Sequence, residues 1–275
     1  MSITSALSGV SRASQIPVAQ TGVQFLARQD GLIDRIKDRL KDVLNDLAAA
    51  TPPTRPDLDD IRQNNQVVDD TITTYRPQFG PLPINIPFVG ETRMTQTEAD
   101  LLNELGDRRG LNGLRIFRNI TSNTPQDPGL AYRAADEYFP QFDDQGGYIK
   151  GGEDGHNDAF RHVYWNALMT DRFGEDFAAA FATAHEGVPG NPANKEAMDL
   201  YNNALGRDIA RDNPGASDEE LAELVFEAVN NGDAVVIDAS GDLAFSDQVA
   251  IGQTGDAPPG AIDGVIAPPE WSQSS

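Results

Sequence analysis

Between residues 157 and 211 the chain is punctuated so closely that three successive helices are the regular structure it best accommodates. Gly174 separates stretches 157–173 and 175–186, and Gly187-Val188-Pro189-Gly190-Asn191-Pro192 separates the second stretch from 193–211. Connections this short predict antiparallel neighbours. Ser217, with Glu220 three residues on, caps a fourth helix that would bury Leu221, Leu224, Val225 and Val229. The runs 234–238 and 243–246 flank Ala239-Ser240-Gly241-Asp242 and read as a small hairpin, with Gly241 in the unusual dihedral. Upstream, Thr95 and Glu98 form a capping box before Ala99, Leu101, Leu102 and Leu105, in a helix that Gly106 and Gly110 should end. A further helix is expected over 130–139, stopped by Pro140, followed by a glycine-rich run over 144–152 that excludes regular helix.

The N-terminal part is different. Leu32, Ile33, Ile36, Leu40, Val43, Leu44 and Leu47 recur three and four apart among charged residues, which predicts an amphipathic helix over 24–47. Such a helix packs on its own domain, pairs with a copy of itself, or serves docking or delivery. Pro52, Pro53, Pro56, Pro77, Pro81, Pro83 and Pro87 then exclude a long helix and predict a linker or wrapping arm, with room for a short helix within 57–74. The expected fold class is therefore mainly α: a compact helical bundle with a small C-terminal β-hairpin, preceded by an amphipathic helix and a proline-rich arm. The expected domains are 1–50 (amphipathic helical segment), 51–93 (arm), 94–253 (helical domain with hairpin) and 254–275 (disordered tail).

Composition narrows the function classes. A formal charge of -22 repels phosphate backbones and anionic lipid, which argues against broad nucleic-acid binding but not against a recessed phosphate site. Without cysteine there is no disulfide framework, thiolate zinc site or cysteine nucleophile. No run approaches the roughly 18 apolar residues of a membrane span, and residues 1–10 lack the pattern of a secretory signal. The expected location is the cytoplasm, or outside the cell by a route without a cleavable signal peptide.

All three histidines, His156, His162 and His185, fall in one window with Asp154, Asp158, Asn157, Asn166 and Glu186. On the first of the three helices, Asp158, His162 and Asn166 are four apart and share a face, with Trp165 on an adjoining row and Arg161 available as an anion-binding fork. A carboxylate one turn before an imidazole can accept its N–H and set its tautomer. On the second helix, His185 follows Phe177 and Phe181 on one row, and Glu186 ends the helix. On the third, Asn202 interrupts the apolar row Met198, Leu205, Ile209, beside Asp199 and Asn203, while Gly206 implies close approach of another helix or a ligand. Each feature has a structural explanation on its own, as a satisfied core histidine or a capped helix. Their convergence on three adjacent helices marks one site.

The blocks running from Asp154-Gly155-His156-Asn157-Asp158-Ala159-Phe160-Arg161-His162-Val163-Tyr164-Trp165-Asn166-Ala167, through Ala184-His185-Glu186, to Met198-Asp199-Leu200-Tyr201-Asn202-Asn203-Ala204-Leu205-Gly206-Arg207 resemble an uncharacterised bacterial domain family. Its members share D-G-x-x-D-A-x-R-H-x-Y-W-N-A, A-H-E and M-D-x-x-N-N-x-x-G-R blocks. The resemblance is strong over 154–207 and brings no assigned reaction. It implies a secreted or toxin-like setting behind delivery segments, although here only a short helix and a proline-rich arm precede the domain.

The leading expectation is a bacterial hydrolase or toxin-like effector with His162, His185, Glu186, Asp158 and Asp199 as catalytic candidates, and Arg161, Asn166, Asn202, Asn203 and Trp165 as substrate-binding candidates. In one version His162, His185 and Asp199 or Glu186 bind a divalent metal that activates water. In the other, Asp158 orients His162 as a base, and Asn202 with Arg161 stabilises developing negative charge. Neither H-E-x-x-H nor G-x-S-x-G occurs. The substrate stays open, a cell-envelope component or a small phosphoester, as does a delivery or inhibitor protein. The competing class is a non-enzymatic binding or assembly protein whose polar cluster is a structural hydrogen-bond network.

Overall fold

The computed structural model describes residues 55–253 apart from 77, 80–81, 84–91, 143–147 and 150–151. The amphipathic segment 24–47, most of the glycine-rich run and the tail 254–275 lie outside the described residues. A short helix α1 (Leu58–Asn64) starts at Asp57, whose side chain accepts the Asp59 N–H at 2.8 Å. Strand β1 (Ile72–Tyr75) pairs antiparallel with β4 (Thr92–Thr95), and between them β2 (Gln78–Phe79) pairs with β3 (Leu82–Pro83). The described part of the segment read as a linker or wrapping arm is thus a short helix within 57–74 and strand pairs. Prolines forbid a long helix but leave short strands open.

Helix α2 (Gln96–Thr121) begins at the capping box of Thr95 and Glu98. It does not end at Gly106, which is buried within it. The break comes at Gly110, with φ 62° and ψ -162°, after which the helix resumes to Thr121. A glycine in a helix lowers stability without forbidding the conformation, so packing decides, as it does here. Helix α3 (Leu130–Tyr138) and the small pair β5 (Gln141–Phe142) with β6 (Tyr148–Ile149) lead into the helices α4 (His156–Phe173), α5 (Glu175–Glu186), α6 (Ala193–Asp212) and α7 (Asp218–Asn231). Ser217 and Glu220 form the second capping box, and Gly232 closes α7 in the left-handed conformation. The hairpin β7 (Val235–Ile237) and β8 (Leu243–Phe245) turns through Gly241 at φ 87°. The fold is mainly α, with seven helices among the described residues and the small antiparallel hairpin at its C-terminal end. None of these helices is long and apolar enough to cross a membrane.

Helix α4 is the centre of the bundle and packs against α3, α5, α6 and α7. Its Phe160, Val163, Leu168 and Met169 are completely buried. Burial of such side chains contributes about 1.5–3 kcal/mol each before conformational entropy is subtracted. The seam with α6 is a close approach of two backbones: a Cβ placed on Gly206 would lie 2.0 Å from the Val163 carbonyl oxygen. The glycine is there because a backbone, not a ligand, occupies that space. One turn earlier on α6, Asn202 bonds both polar groups of Val235, donating to its carbonyl at 2.9 Å and accepting from its N–H at 3.0 Å. This amide takes the place of a missing strand partner and ties the hairpin to the bundle.

Candidate functional site

The first turn of α4 gathers charge. Asp154, in the left-handed region at φ 65°, donates its backbone N–H to Asp158 Oδ2 at 2.6 Å, and its carboxylate pairs with Lys195 at 3.0 Å. Asp158 Oδ1 is in close contact with the Arg161 guanidinium and lies 3.3 Å from His162 Nε2. From α6, Asp199 Oδ1 reaches the same nitrogen at 3.5 Å. The other face of the imidazole is fixed by Asn203, whose Oδ1 accepts from His162 Nδ1 at 3.1 Å and from Asn166 Nδ2 at 2.5 Å. Asn203 in turn donates to Glu186 Oε1 at 3.5 Å, and Arg207 donates to Asn166 Oδ1 at 3.3 Å. His162 thus sits in a ring of side chains from α4, α5 and α6, the three helices that carry the motif blocks.

The charges follow from this packing. Burial opposes a charged His162, but Asp199, the bond to Asp158 and the nearby Glu186 outweigh it and push its pKa up to about 10. Burial also opposes ionised Asp158, yet Arg161 and His162 hold its carboxyl well below the usual carboxylate range. Asp199 goes the other way: burial raises it, His162 counteracts, and Glu186, Asp158 and Asp154 add to the rise.

His185 belongs to a second arrangement. Its Nδ1 donates to Glu98 Oε1 at 2.8 Å, while Glu98 Oε2 accepts the Thr95 N–H at 2.7 Å and so caps α2. Desolvation opposes charge on His185, but Glu98 and Glu186 raise its pKa overall. Trp165 stands between the two imidazoles, edge-on to both, at centroid distances of 6.0 Å from His162 and 5.3 Å from His185. All three line one cleft of about 170 Å³, together with Arg161, Glu98, Phe117, Phe181 and residues of β4. Arg161 is held there by Asp158, by the Gly152 carbonyl at 3.1 Å and by the Tyr132 ring, 4.7 Å from its guanidinium carbon.

The structure therefore brings His162, His185, Arg161 and Trp165 to one cleft. Asp158, Asp199, Asn166, Asn203 and Glu186 form the polar ring behind His162. Asn202 joins neither, because Val235 uses both ends of its amide. His156 donates Nε2–H to the Ser246 carbonyl at 2.7 Å and stacks on Phe139. Among the described residues, those whose donor atoms could share a metal ion are Asp158, His162 and Asp199, all within 4.8 Å of one another. His185 is committed to Glu98 and falls outside that group, so the set differs from the expected His162, His185 and Asp199. Glu98 is the site residue that sequence reasoning missed: its capping box was legible, but nothing local pointed to a histidine on another helix.

Residues 123–233 match the model of a family described as a domain of unknown function (DUF6973). The matched segment contains both arrangements except for Glu98 and the other cleft residues contributed by β4 and α2. No curated protein and no solved structure matches the chain.

Proposed function

We propose that this domain is a hydrolase whose reacting centre is Asp158, His162 and Asp199 around a divalent cation, with Arg161, Trp165 and His185 lining the substrate cleft beside it. One observation carries the reading: two carboxylate oxygens converge on a single imidazole nitrogen at 3.3 and 3.5 Å while the other nitrogen is committed to Asn203. Metal–ligand bonds of about 2.1 Å set neighbouring donors about 3.0–3.4 Å apart at octahedral to tetrahedral angles. The fit is supported by Asp199 Oδ1, which is buried without a hydrogen-bond donor. Asn203 supplies the outer contact that fixes which imidazole nitrogen faces the carboxylates. A mixed imidazole and carboxylate set suits zinc, manganese or iron, and the ion would lower the pKa of a bound water. Arg161 and His185 supply positive charge for an anion that develops in the cleft, and Glu98 holds His185 in place.

The test is elemental analysis of protein purified without chelators, combined with turnover of p-nitrophenyl phosphate, bis(p-nitrophenyl) phosphate and p-nitrophenyl acetate. About one metal per chain, lost together with turnover in a folded Asp199→Asn variant, is the expected result. Protein that takes up neither zinc nor manganese and hydrolyses none of the esters overturns the proposal. A toxin-like role adds growth arrest on expression in one bacterial compartment, cytoplasm or periplasm, abolished by the same substitution.

A second reading, a structural polar network, draws on Asn203, which is bonded at both ends and linked through Asn166 to Arg207. It expects His162→Ala to abolish the cooperative melting transition of a protein that binds no metal.

A further inference from the structure

On a chain with a formal charge of -22, the cleft has the opposite character. The guanidinium groups of Arg93 and Arg161 line it, together with the imidazole rings of His162 and His185 and a single carboxylate, Glu98. The rest of its wall is apolar and aromatic, chiefly Met94, Phe117 and Phe181. Trp165 adds an independent observation. Its side chain lines the cleft and is 8% exposed, and its indole N–H is buried without an acceptor. A buried donor is normally satisfied, and leaving it unpaired is costly. What is absent is an acceptor, and the guanidinium groups of Arg93 and Arg161 on the cleft wall specify a negatively charged one. Indole N–H and guanidinium are both donors without acceptor capacity, which selects an oxyanion over a neutral carbonyl compound or a cation.

We infer that the cleft binds a small oxyanion, phosphate or carboxylate, joined to an apolar or aromatic body, with Trp165 Nε1–H and Arg161 directed at the anion and Phe117 and Phe181 covering the apolar part. This assigns a substrate class to the reading proposed above and rests on it only for the statement that the bound molecule is hydrolysed. The wall accounts for both halves of the ligand. A bare anion would leave the aromatic surface uncovered, and a neutral aromatic would leave the buried donor and the cations unmatched.

The inference is tested by calorimetric titration of the full-length Asp199→Asn protein, in which turnover does not interfere, with phenyl phosphate, benzoate, inorganic phosphate and phenol. Phenyl phosphate or benzoate binding about tenfold or more tighter than both inorganic phosphate and phenol is expected. Trp165→Phe keeps the ring and removes the donor, and should weaken the aryl anions about three- to tenfold while leaving phenol unchanged. If that variant does not fold, Arg93→Glu on the exposed face of β4 serves instead and should weaken the same ligands. Phenol equal to phenyl phosphate, or no saturable binding of either aryl anion, overturns the inference. Saturable aryl-anion binding with no turnover of any ester by the wild type leaves it standing and defeats the hydrolase reading. Turnover of the neutral acetate ester alone, without anion binding, does the reverse.

Discussion

The two imidazoles of the cleft are each backed by acidic side chains, but they are held in different ways. His162 is 8% exposed at the side chain, and its partners come from the three helices of the bundle centre. His185 is 34% exposed at the side chain, and its bonded carboxylate comes from the start of α2, 87 positions away in sequence. The first is part of the packing, so altering it disturbs the fold. The second is a contact between the rim and the bundle, so altering it should change the cleft and leave the bundle standing. The difference separates residues that make a site from residues that tune it.

The comparison is tested most severely by His162→Ala. The substitution leaves Asp158 and Asp199 facing each other without the group between them, and we expect a loss of about 3–5 kcal/mol in urea unfolding. A loss under about 1 kcal/mol would mean that the ring of polar side chains contributes little to the fold. Next in size is Gly206→Ala, about 2–3 kcal/mol, because the new Cβ meets the Val163 carbonyl and α4 and α6 must separate. Since α6 carries Asp199 and Asn203, the metal uptake proposed above should fall with it, and unchanged stability would contradict the close seam. Glu98→Gln keeps an acceptor for the cap but removes the negative charge beside His185. About 1 kcal/mol or less is expected, with cleft binding changed more than the melting temperature.

A pH dependence lies outside both imidazoles. Glu196 accepts the Val67 backbone N–H in a close contact, and burial, with Glu186 and Asp69 adding, pushes its pKa up to about 7 from 4.5. The folded state therefore holds a proton that the unfolded chain has released. The contribution is complete below about pH 4.5 and is lost as pH rises through 7. Wild type should weaken relative to Glu196→Gln across that window, measured as the difference in unfolding free energy at pH 5 and pH 8. A difference that does not change with pH contradicts this assignment.

What was legible in the sequence was local. Gly174, the Gly187–Pro192 turn and the boxes at Thr95 and Ser217 act on their own neighbours, so the limits of α4 to α6 and the start of α7 could be read directly. The close approach at Gly206 was legible too, because a glycine in an otherwise helical row signals crowding. The sequence showed that Asn202 needed a partner, but not that the partner was the backbone of a strand. The pairing of β1 with β4 and the bond from His185 to Glu98 depend on packing between distant segments, which no window around either residue contains. Gly106 was read as a stop because propensity cannot show that a position will be buried against neighbours.

Glu98 spends one oxygen on the first turn of a helix and the other on an imidazole in the cleft. Trimming the protein to its family-matched segment would therefore remove a wall of the cleft along with the anchor of one histidine. The smallest fragment worth crystallising with a ligand has to retain the β1–β4 pair and the whole of α2.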